Sequence, residues 1–444
     1  MSESQGKLKL FDLVSIGVGS IIGAGIFSML MMGVSMTGRS IALALAFAML
    51  VVFMQGIKSL FLSSMFALEG GAYAQQALVL PPIFTGTTAI TYVISNASMS
   101  VFGISIAAYL TQLIPSLAPF QKPMAVLIVT LFFFVAYQGA GWLAKVQNVM
   151  TVCMYLALGL FIIFGLMHPA DAEAAATPYF AAGPVGFLMA TAIMSFACNG
   201  GMNLINLAGM TENPRKNIPL GFLLAEIVCT IIYFLLGFVA GKIVPMSQAA
   251  TSTLGTVAQQ VMPSGLYIFF VVGGAIFALA TSLLGGISAM SAPIVASAED
   301  GWLPAALAKK TKSGAPWAAM LLMYLISVVP ILGGFSLDSI VSFILVPGMF
   351  VNVVSLFLTF RIPKRFPKEW DACALKVPYW FFCLLIVLSM AASLITAIFS
   401  MMSQTTAGII GNIALTIFLF AFSFWRLKSG KVELKSVEGI RGEQ

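Results

Sequence analysis

The groups best placed to do chemistry in this chain belong to its backbone. The stretch Gly19-Ser20-Ile21-Ile22-Gly23-Ala24-Gly25-Ile26-Phe27 sets three glycines inside an apolar run from about Phe11 to Met36. Each glycine costs a helix about 1 kcal/mol against alanine and frees the backbone to leave helical geometry. In lipid, a helix breaks only where the freed N–H and C=O groups line a cavity or meet a ligand. The stretch is therefore either a close helix–helix contact, since small residues four apart let helices approach, or an unwound binding site. A second stretch favours the binding site: Ser195-Phe196-Ala197-Cys198-Asn199-Gly200-Gly201-Met202-Asn203 puts Asn-Gly-Gly in the middle of another apolar run. Half-helices ending at such breaks leave unpaired N–H groups with partial positive charge, and carbonyls with the opposite charge. A carboxylate suits the first and an ammonium the second. A zwitterionic amino acid satisfies both, with no charged side chain required from the protein.

Conventional catalytic chemistry is poorly supplied. The chain has one histidine, His168 at a span end, and five scattered cysteines (Cys153, Cys198, Cys229, Cys373, Cys383) without a C-x-x-C. That pattern supports no zinc, haem or disulfide framework, and no cofactor is expected. A membrane hydrolase or transferase would need clustered His, Asp or Ser-His-Asp sets, so the chain does not read as an enzyme. One carboxylate stands out. Glu226 falls about 10 Å along the seventh apolar run, counting from Pro219 at 1.5 Å per residue. Intramembrane carboxylates are rare and often functional, so Glu226 is a candidate for proton coupling or gating; the plainer alternative is a carboxylate hydrated, or paired with a loop lysine, near the cytoplasmic end. Lys58 and Lys145 read as snorkelling to the cytoplasmic interface. Ser95, Asn96, Ser98 and Ser100, with Thr281 and Ser282, either line a path or bond neighbouring helices.

The elements that must position these groups are membrane helices. Of 444 residues, 60% are hydrophobic and 8% charged, with a mean hydropathy of +1.02; a soluble domain carries about 25% charged residues. The fold class is an all-α polytopic membrane protein. About twelve spans are expected, near 12–36, 41–66, 86–114, 123–140, 146–167, 185–210, 219–241, 265–297, 316–334, 338–360, 378–402 and 406–425. With the N-terminus in the cytoplasm, nineteen of the 22 Lys and Arg fall on the inside and only Arg39, Lys122 and Lys242 outside, which places both termini inside. The net charge of +7 thus reports topology and not nucleic-acid binding. No signal peptide is read at the N-terminus. The irregular 58–85 region reads as a short helix along the cytoplasmic face, Asp171–Pro178 as the longer external loop, and Lys428–Gln444 as a disordered tail.

Five spans separate the two breaks, in spans one and six. A Gly-interrupted span at corresponding positions of two halves points to a transporter binding site. Five is odd, so the second half enters the membrane with opposite topology. The expected division is a first repeat over 1–167, an inverted second repeat over 185–360, two appended helices over 361–426 and a cytoplasmic tail over 427–444.

These residues resemble the amino acid–polyamine–organocation superfamily of transporters over nearly the whole chain. GSIIGAGIF is similar to the family's G-x-x-I-G-x-G-I-F signature, and Gly70-Gly71-Ala72-Tyr73 to its G-G-x-Y. Phe196–Asn203 followed by Glu212-Asn213-Pro214-Arg215-Lys216-Asn217-Ile218-Pro219 resembles the span-six motif, with a shortened spacing before N-P. Ala298-Glu299-Asp300-Gly301-Trp302-Leu303-Pro304 resembles A-R-D-G-x-L-P. The resemblance implies a LeuT-type 5+5 inverted repeat plus two helices, and sodium-independent amino acid transport by alternating access. It implies that the substrate carboxylate sits on the N–H groups around Gly23, Ala24 and Gly25, and its amino group on carbonyls near Ile21, Phe196 and Asn199. Phe196 is then either a gate over the substrate or plain aromatic packing. Three positions depart from the family: Met202 replaces an acidic residue found in many relatives, Met154 a span-five lysine, and Glu299 the arginine of A-R-D-G. No acidic residue falls at either break, so neutral L-amino acids fit Ala24, Cys198, Asn199 and Gly200 better than cationic ones. The expected function is exchange or proton-coupled transport of neutral L-amino acids across the plasma membrane. A cationic amino acid or polyamine antiporter and a non-transporting amino acid sensor are the alternatives. The expected partners are the substrate, the lipid bilayer and, in the coupled case, a proton; no nucleic acid is expected, and the chain would act as a monomer or homodimer.

Overall fold

Glycine, proline and asparagine decide where this chain turns. The computed structural model describes residues 8–68, 70–138, 140–311 and 315–441. Helix α1 (Leu10–Ile21) begins where Asp12 accepts the Lys9 N–H at 2.9 Å, a carboxylate at a helix N-terminus. It stops at Ile22-Gly23, and α2 (Ala24–Thr37) restarts beyond. Gly38, at φ +58°, turns the chain into α3 (Ile41–Met65). A short α4 (Gly71–Val79) ends before Pro81-Pro82, and Pro82 opens α5 (Pro82–Ser95), where a missing N–H costs nothing. The same rod resumes as α6 (Ser98–Leu113), so the third span is also interrupted. Asn96 explains the interruption: its side-chain amide donates to the Tyr92 and Val93 carbonyls at 2.8 and 3.2 Å, in competition with the helix.

Helices α7 (Gln121–Gln138) and α8 (Ala140–Met167) follow, then α9 (Ala172–Ala176) on an exposed loop, capped by Asp171 accepting the Ala174 N–H at 2.9 Å. Helix α10 (Gly183–Cys198) runs to the second break and continues as a 3-10 helix over Gly201–Met210. Asn213, left-handed at φ +47°, precedes Pro214 at the start of α11 (Pro214–Ile243). After α12 (Met246–Ala249) and α13 (Leu254–Val261), α14 (Ser264–Phe269) passes through a π-helical stretch, Phe270–Ile276, into α15 (Phe277–Glu299). The chain closes with α16 (Trp317–Gly333), α17 (Leu337–Thr359), short α18 (Ile362–Arg365) and α19 (Pro367–Asp371), α20 (Tyr379–Met402), α21 (Thr406–Lys428) and α22 (Glu438–Arg441).

Each apolar run of the sequence appears as a helix or a helix pair. Ten stretches among the described residues are long and apolar enough to cross a membrane, one of them holding both α2 and α3, while α1 and α16 are shorter. Large apolar side chains such as Phe134, Ile163, Ile231, Leu388 and Ile417 stand exposed on the outer helices, as a lipid-facing belt requires and a soluble surface does not allow. Inside, α3 packs along α11, α10 and α20, α10 along α2, and α1 along α11 and the 3-10 helix. A Leu8–Thr211 bridge, with the Glu212 N–H on the Leu8 carbonyl at 2.9 Å, ties the exit of the second break to the start of α1.

Four expectations are corrected. Helix α4 does not lie along a surface: Tyr73, Ala74, Ala77 and Leu78 are fully buried, and its two glutamines find partners inside, Gln75 donating to Ser63 Oγ and Gln76 accepting from Ser355 Oγ. Lys58 does not snorkel, being 1% exposed with Nζ bonded to Asn352 Oδ1 and Ser355 Oγ; the side chain of Lys145 lies outside the described ones. Glu226 is paired with no lysine among the described residues. The tail is ordered through Arg441, with Val437 buried and the Ser436 N–H and Oγ donating to Asp300 at 2.8 and 2.7 Å; residues 442–444 lie outside the described chain.

Candidate functional site

The two broken spans cross at their breaks, and glycine makes the crossing sterically feasible. A β-carbon at Gly25 would stand 2.0 Å from the Ala197 Cα, and one at Gly200 2.2 Å from the Ser20 carbonyl oxygen. Gly200 also sits at φ +141°, a region that L side chains rarely enter. Gly23 faces α15, where its β-carbon would overlap the Ser282 hydroxyl at 2.1 Å. Backbone thus meets backbone where side chains would otherwise hold the helices apart.

The backbone groups around the crossing divide by charge. At the start of α2 the Phe27 N–H reaches the Gly23 carbonyl only at 3.5 Å, and Gly23 provides no side-chain cap. The first-turn N–H groups of Ala24, Gly25 and Ile26 therefore have no intrahelical acceptor, and they carry the positive end of the helix dipole. Carbonyls of the same region are held by hydroxyls from neighbouring helices. Tyr233 of α11 donates to Ile21 O at 2.8 Å and Ala197 O at 3.0 Å, and Ser282 donates to Ile22 O at 3.3 Å. One phenol therefore bridges both breaks, and each carbonyl keeps a second lone pair.

A cavity of ≈ 340 Å³ opens at this crossing. Of the residues singled out in the sequence, Ile21, Gly23, Gly25, Phe196, Asn199 and Gly200 line it. Cys198 does not: it is fully buried, because one step along a helix turns a side chain by about 100° from the face that Asn199 and Phe196 share. The side chain of Ala24 lies outside the described ones. Ser95, Ser98, Thr281 and Ser282 also reach the wall, whereas Asn96 and Ser100 bond backbone carbonyls. Asn203, at the end of the second break, lines it too, as do Tyr92, Phe102, Met290 and Ile344; the last four carry no mark in the sequence, since ordinary polar and apolar residues in helices give no signal of a shared wall. None of the lining side chains is charged.

Glu226 stands next to this site without facing it. It is 3% exposed, and a β-carbon at Gly201 would lie 3.0 Å from its Oε1. Neither carboxylate oxygen has a hydrogen-bond partner among the described residues. An isolated buried carboxylate is costly, so this position is unlike a structural ion pair.

The motif residues meet at one end of the bundle. Tyr73 donates to Asp300 Oδ2 at 2.7 Å, and Asn206 Oδ1 accepts the Ala72 N–H at 3.0 Å. Gly71, at φ +57°, leaves room for that amide. Trp302, fully buried, occupies the space beside Gly86.

Comparison with known proteins places the chain in a family. The family model described as amino acid permease matches residues 8–424. The chain is similar to a vacuolar cationic amino acid transporter of Arabidopsis thaliana, 27% identical over 67% of this chain and 53% of the relative. It is similar to a methylthioribose transporter of Bacillus subtilis (strain 168), 26% identical over 68% and 69%. A branched-chain amino acid permease of the same bacterium is 24% identical over 70% and 72%. The aligned chain thus spans about half the length of the plant protein and about seven-tenths of the bacterial ones. All three are transporters or permeases by name. The chain belongs to the amino acid permease family, within the amino acid–polyamine–organocation superfamily.

Proposed function

We propose that this protein moves neutral L-amino acids across the plasma membrane by alternating access, without sodium, as an exchanger or with a proton. The observation that carries this is the crossing of two glycine-broken helices on an uncharged cavity of ≈ 340 Å³. The uncapped start of α2 suits a carboxylate, and the remaining carbonyl lone pairs at Ile21, Phe196 and Asn199 suit an ammonium. Met99, Phe102, Phe196, Met202, Met290 and Ile344 give the side chain an apolar, adaptable surface, and nothing among them pairs with a cationic side chain. The branched-chain permease among the relatives is consistent with this choice. The transporter named for cationic amino acids supports the second reading, a cationic amino acid or polyamine antiporter.

In this scheme residues 1–167 and 185–360 are inverted repeats that rock against each other about the breaks, with 361–426 appended. Both termini face the cytoplasm, in line with the lysine and arginine distribution. The test is transport by the full-length protein in proteoliposomes. Vesicles loaded with one unlabelled amino acid at a time should take up the labelled compound for neutral substrates, and much less for lysine, arginine or putrescine. Preference for the cationic set would favour the antiporter. Binding without uptake of any of them would leave a sensor.

A further inference from the structure

A second cavity of ≈ 210 Å³ adjoins the first and shares Thr91, Tyr92, Asn199 and Met202 with its wall. Its own wall is rich in amides, from Gln55, Gln76 and Asn352. Immediately behind that wall is Lys58, 1% exposed and within a membrane-crossing helix. Its Nζ donates to Asn352 Oδ1 at 3.1 Å and to Ser355 Oγ at 2.8 Å. The Ser355 hydroxyl hydrogen and one Asn352 amide hydrogen are committed elsewhere: Ser355 Oγ donates to Gln76 Oε1 at 2.7 Å, and Asn352 Nδ2 to Ser393 Oγ at 3.1 Å. The amine is thus offered lone pairs by two neutral groups from α17.

Among the described residues, no counter-charge accompanies them. Against Lys58, α4 presents Gln76, α17 presents Asn352 and Ser355, α20 stands behind with Ser393, and α5 brings Tyr92 to the cavity wall. Tyr92 is the titratable group in that set. Glu226 lies instead against Gly201 of the 3-10 helix, and the ion pair found among the described residues, Lys435–Glu433, is in the tail. An ammonium has three N–H donors and requires an anion or water when buried; a neutral amine has two N–H donors and a free lone pair. Two acceptors, and no anion among the described residues, match the amine.

We infer that Lys58 is a proton-binding residue of the transport cycle, reached through the amide-lined cavity beside the substrate site. This rests on the transport reading above. In the arrangement described here Lys58 is the amine. When the seam between α3 and α17 admits water, the nitrogen lone pair takes one proton from a hydronium ion and leaves water. Closure toward the opposite side returns that proton to water there, and the amine is restored. One proton then crosses with each substrate, and no other co-reactant is consumed.

The test uses the full-length protein in proteoliposomes with labelled L-leucine as probe. Leucine exchange and uptake driven by an imposed acid-outside gradient are measured together. Wild-type uptake should be stimulated by the gradient. Lys58→Met, which removes the amine, and Asn352→Asp, which places a carboxylate on it and holds the ammonium, should both lose the stimulation while exchange continues. Glu226→Gln should keep it. Stimulation that survives in both Lys58→Met and Asn352→Asp, or that is lost only in Glu226→Gln, overturns the inference. Wild-type uptake indifferent to the gradient overturns it too, yet leaves amino acid exchange standing. If no amino acid is taken up at all, the transport reading fails, and nitrogen NMR of protein labelled with [ε-15N]lysine judges Lys58 directly. A lysine signal at the amine position at pH 8, absent from Asn352→Asp, supports the assignment. Ammonium signals alone across pH 5–9 overturn it.

Discussion

Gly200 and Gly25 hold the crossing together because nothing larger fits between the two backbones. The atoms their β-carbons would strike, Ser20 O and Ala197 Cα, belong to the main chain and cannot swing aside. Gly200→Ala and Gly25→Ala should each force the breaks apart at a cost of about 1–3 kcal/mol. Initial uptake should fall about tenfold or more, since 1.4 kcal/mol in a barrier is a factor of ten. Gly159→Ala is the control. No atom lies within 4 Å of its β-carbon position, so uptake should be unchanged and the helix stabilised by about 1 kcal/mol. Rates normalised to the amount of reconstituted protein measure all three, and a wild-type rate in Gly200→Ala would show that the contact is dispensable. The glycines themselves are plain in the sequence. Their partners are not, because a carbonyl oxygen and a Cα carry no residue signature. Cys198 shows the same limit from the other side: it sits between two cavity residues in sequence, and helical rotation alone turns it away.

Among the elements, the C-terminal segment departs furthest from its sequence. Its polar composition reads as disorder, yet Asp300 organises it from 136 residues away by accepting the Ser436 N–H and Oγ. The Asp300 carbonyl accepts the Glu433 N–H at 3.0 Å, and Arg426 Nε donates to Gly301 O at 2.7 Å. Gly301, at φ +82°, allows the approach, as a β-carbon there would lie 2.0 Å from Lys431 O. Tyr73 of α4 donates to the same carboxylate, so one side chain joins α4, the end of α15 and the tail. Asp300→Asn keeps the shape but replaces one acceptor oxygen by a donor. It should cost about 2–5 kcal/mol, given roughly 1.5–3 for each hydrogen bond to a charged group. A lower thermal midpoint and protease cleavage within 431–441 are the expected readouts. Truncation after Gly430 should lower the midpoint too, and combining it with Asp300→Asn should add less than the sum, because the two changes remove shared bonds. Full additivity would mean the tail and Asp300 act independently. The apolar helices, by contrast, were legible from length and hydropathy alone. The place of Lys58 is hidden in the sequence for the same reason: Asn352 and Ser355, 294 and 297 residues away, are ordinary polar residues until the fold brings them to its amine.

At the scale of the molecule, the proposed orientation rests on the distribution of Lys and Arg, and the exceptions to it have local uses. Arg39 donates to the Ala175 carbonyl at 2.9 Å, near the end of α9. Lys242 donates to Gly165 O and Leu166 O at 3.3 and 3.0 Å, near the end of α8. Lys122 stands beside Gly334, the left-handed residue that ends α16, whose β-carbon position is 3.2 Å from its Nζ. All three basic residues assigned to the external side therefore meet the negative ends of helices, where a cation is favourable whatever the topology. With these engaged locally, the proposed orientation, which assigns the other nineteen to the cytoplasmic side, has no exception left unexplained. Cysteine labelling in intact cells tests this directly. Cys198, Cys229 and Cys373 are buried, so a membrane-impermeant maleimide should find little background there, and Cys153 and Cys383 can be replaced by serine. Glu173→Cys, on the exposed α9, should label in intact cells. Lys368→Cys, on the exposed α19, should label only after the membrane is opened. The reverse pattern would put both termini outside.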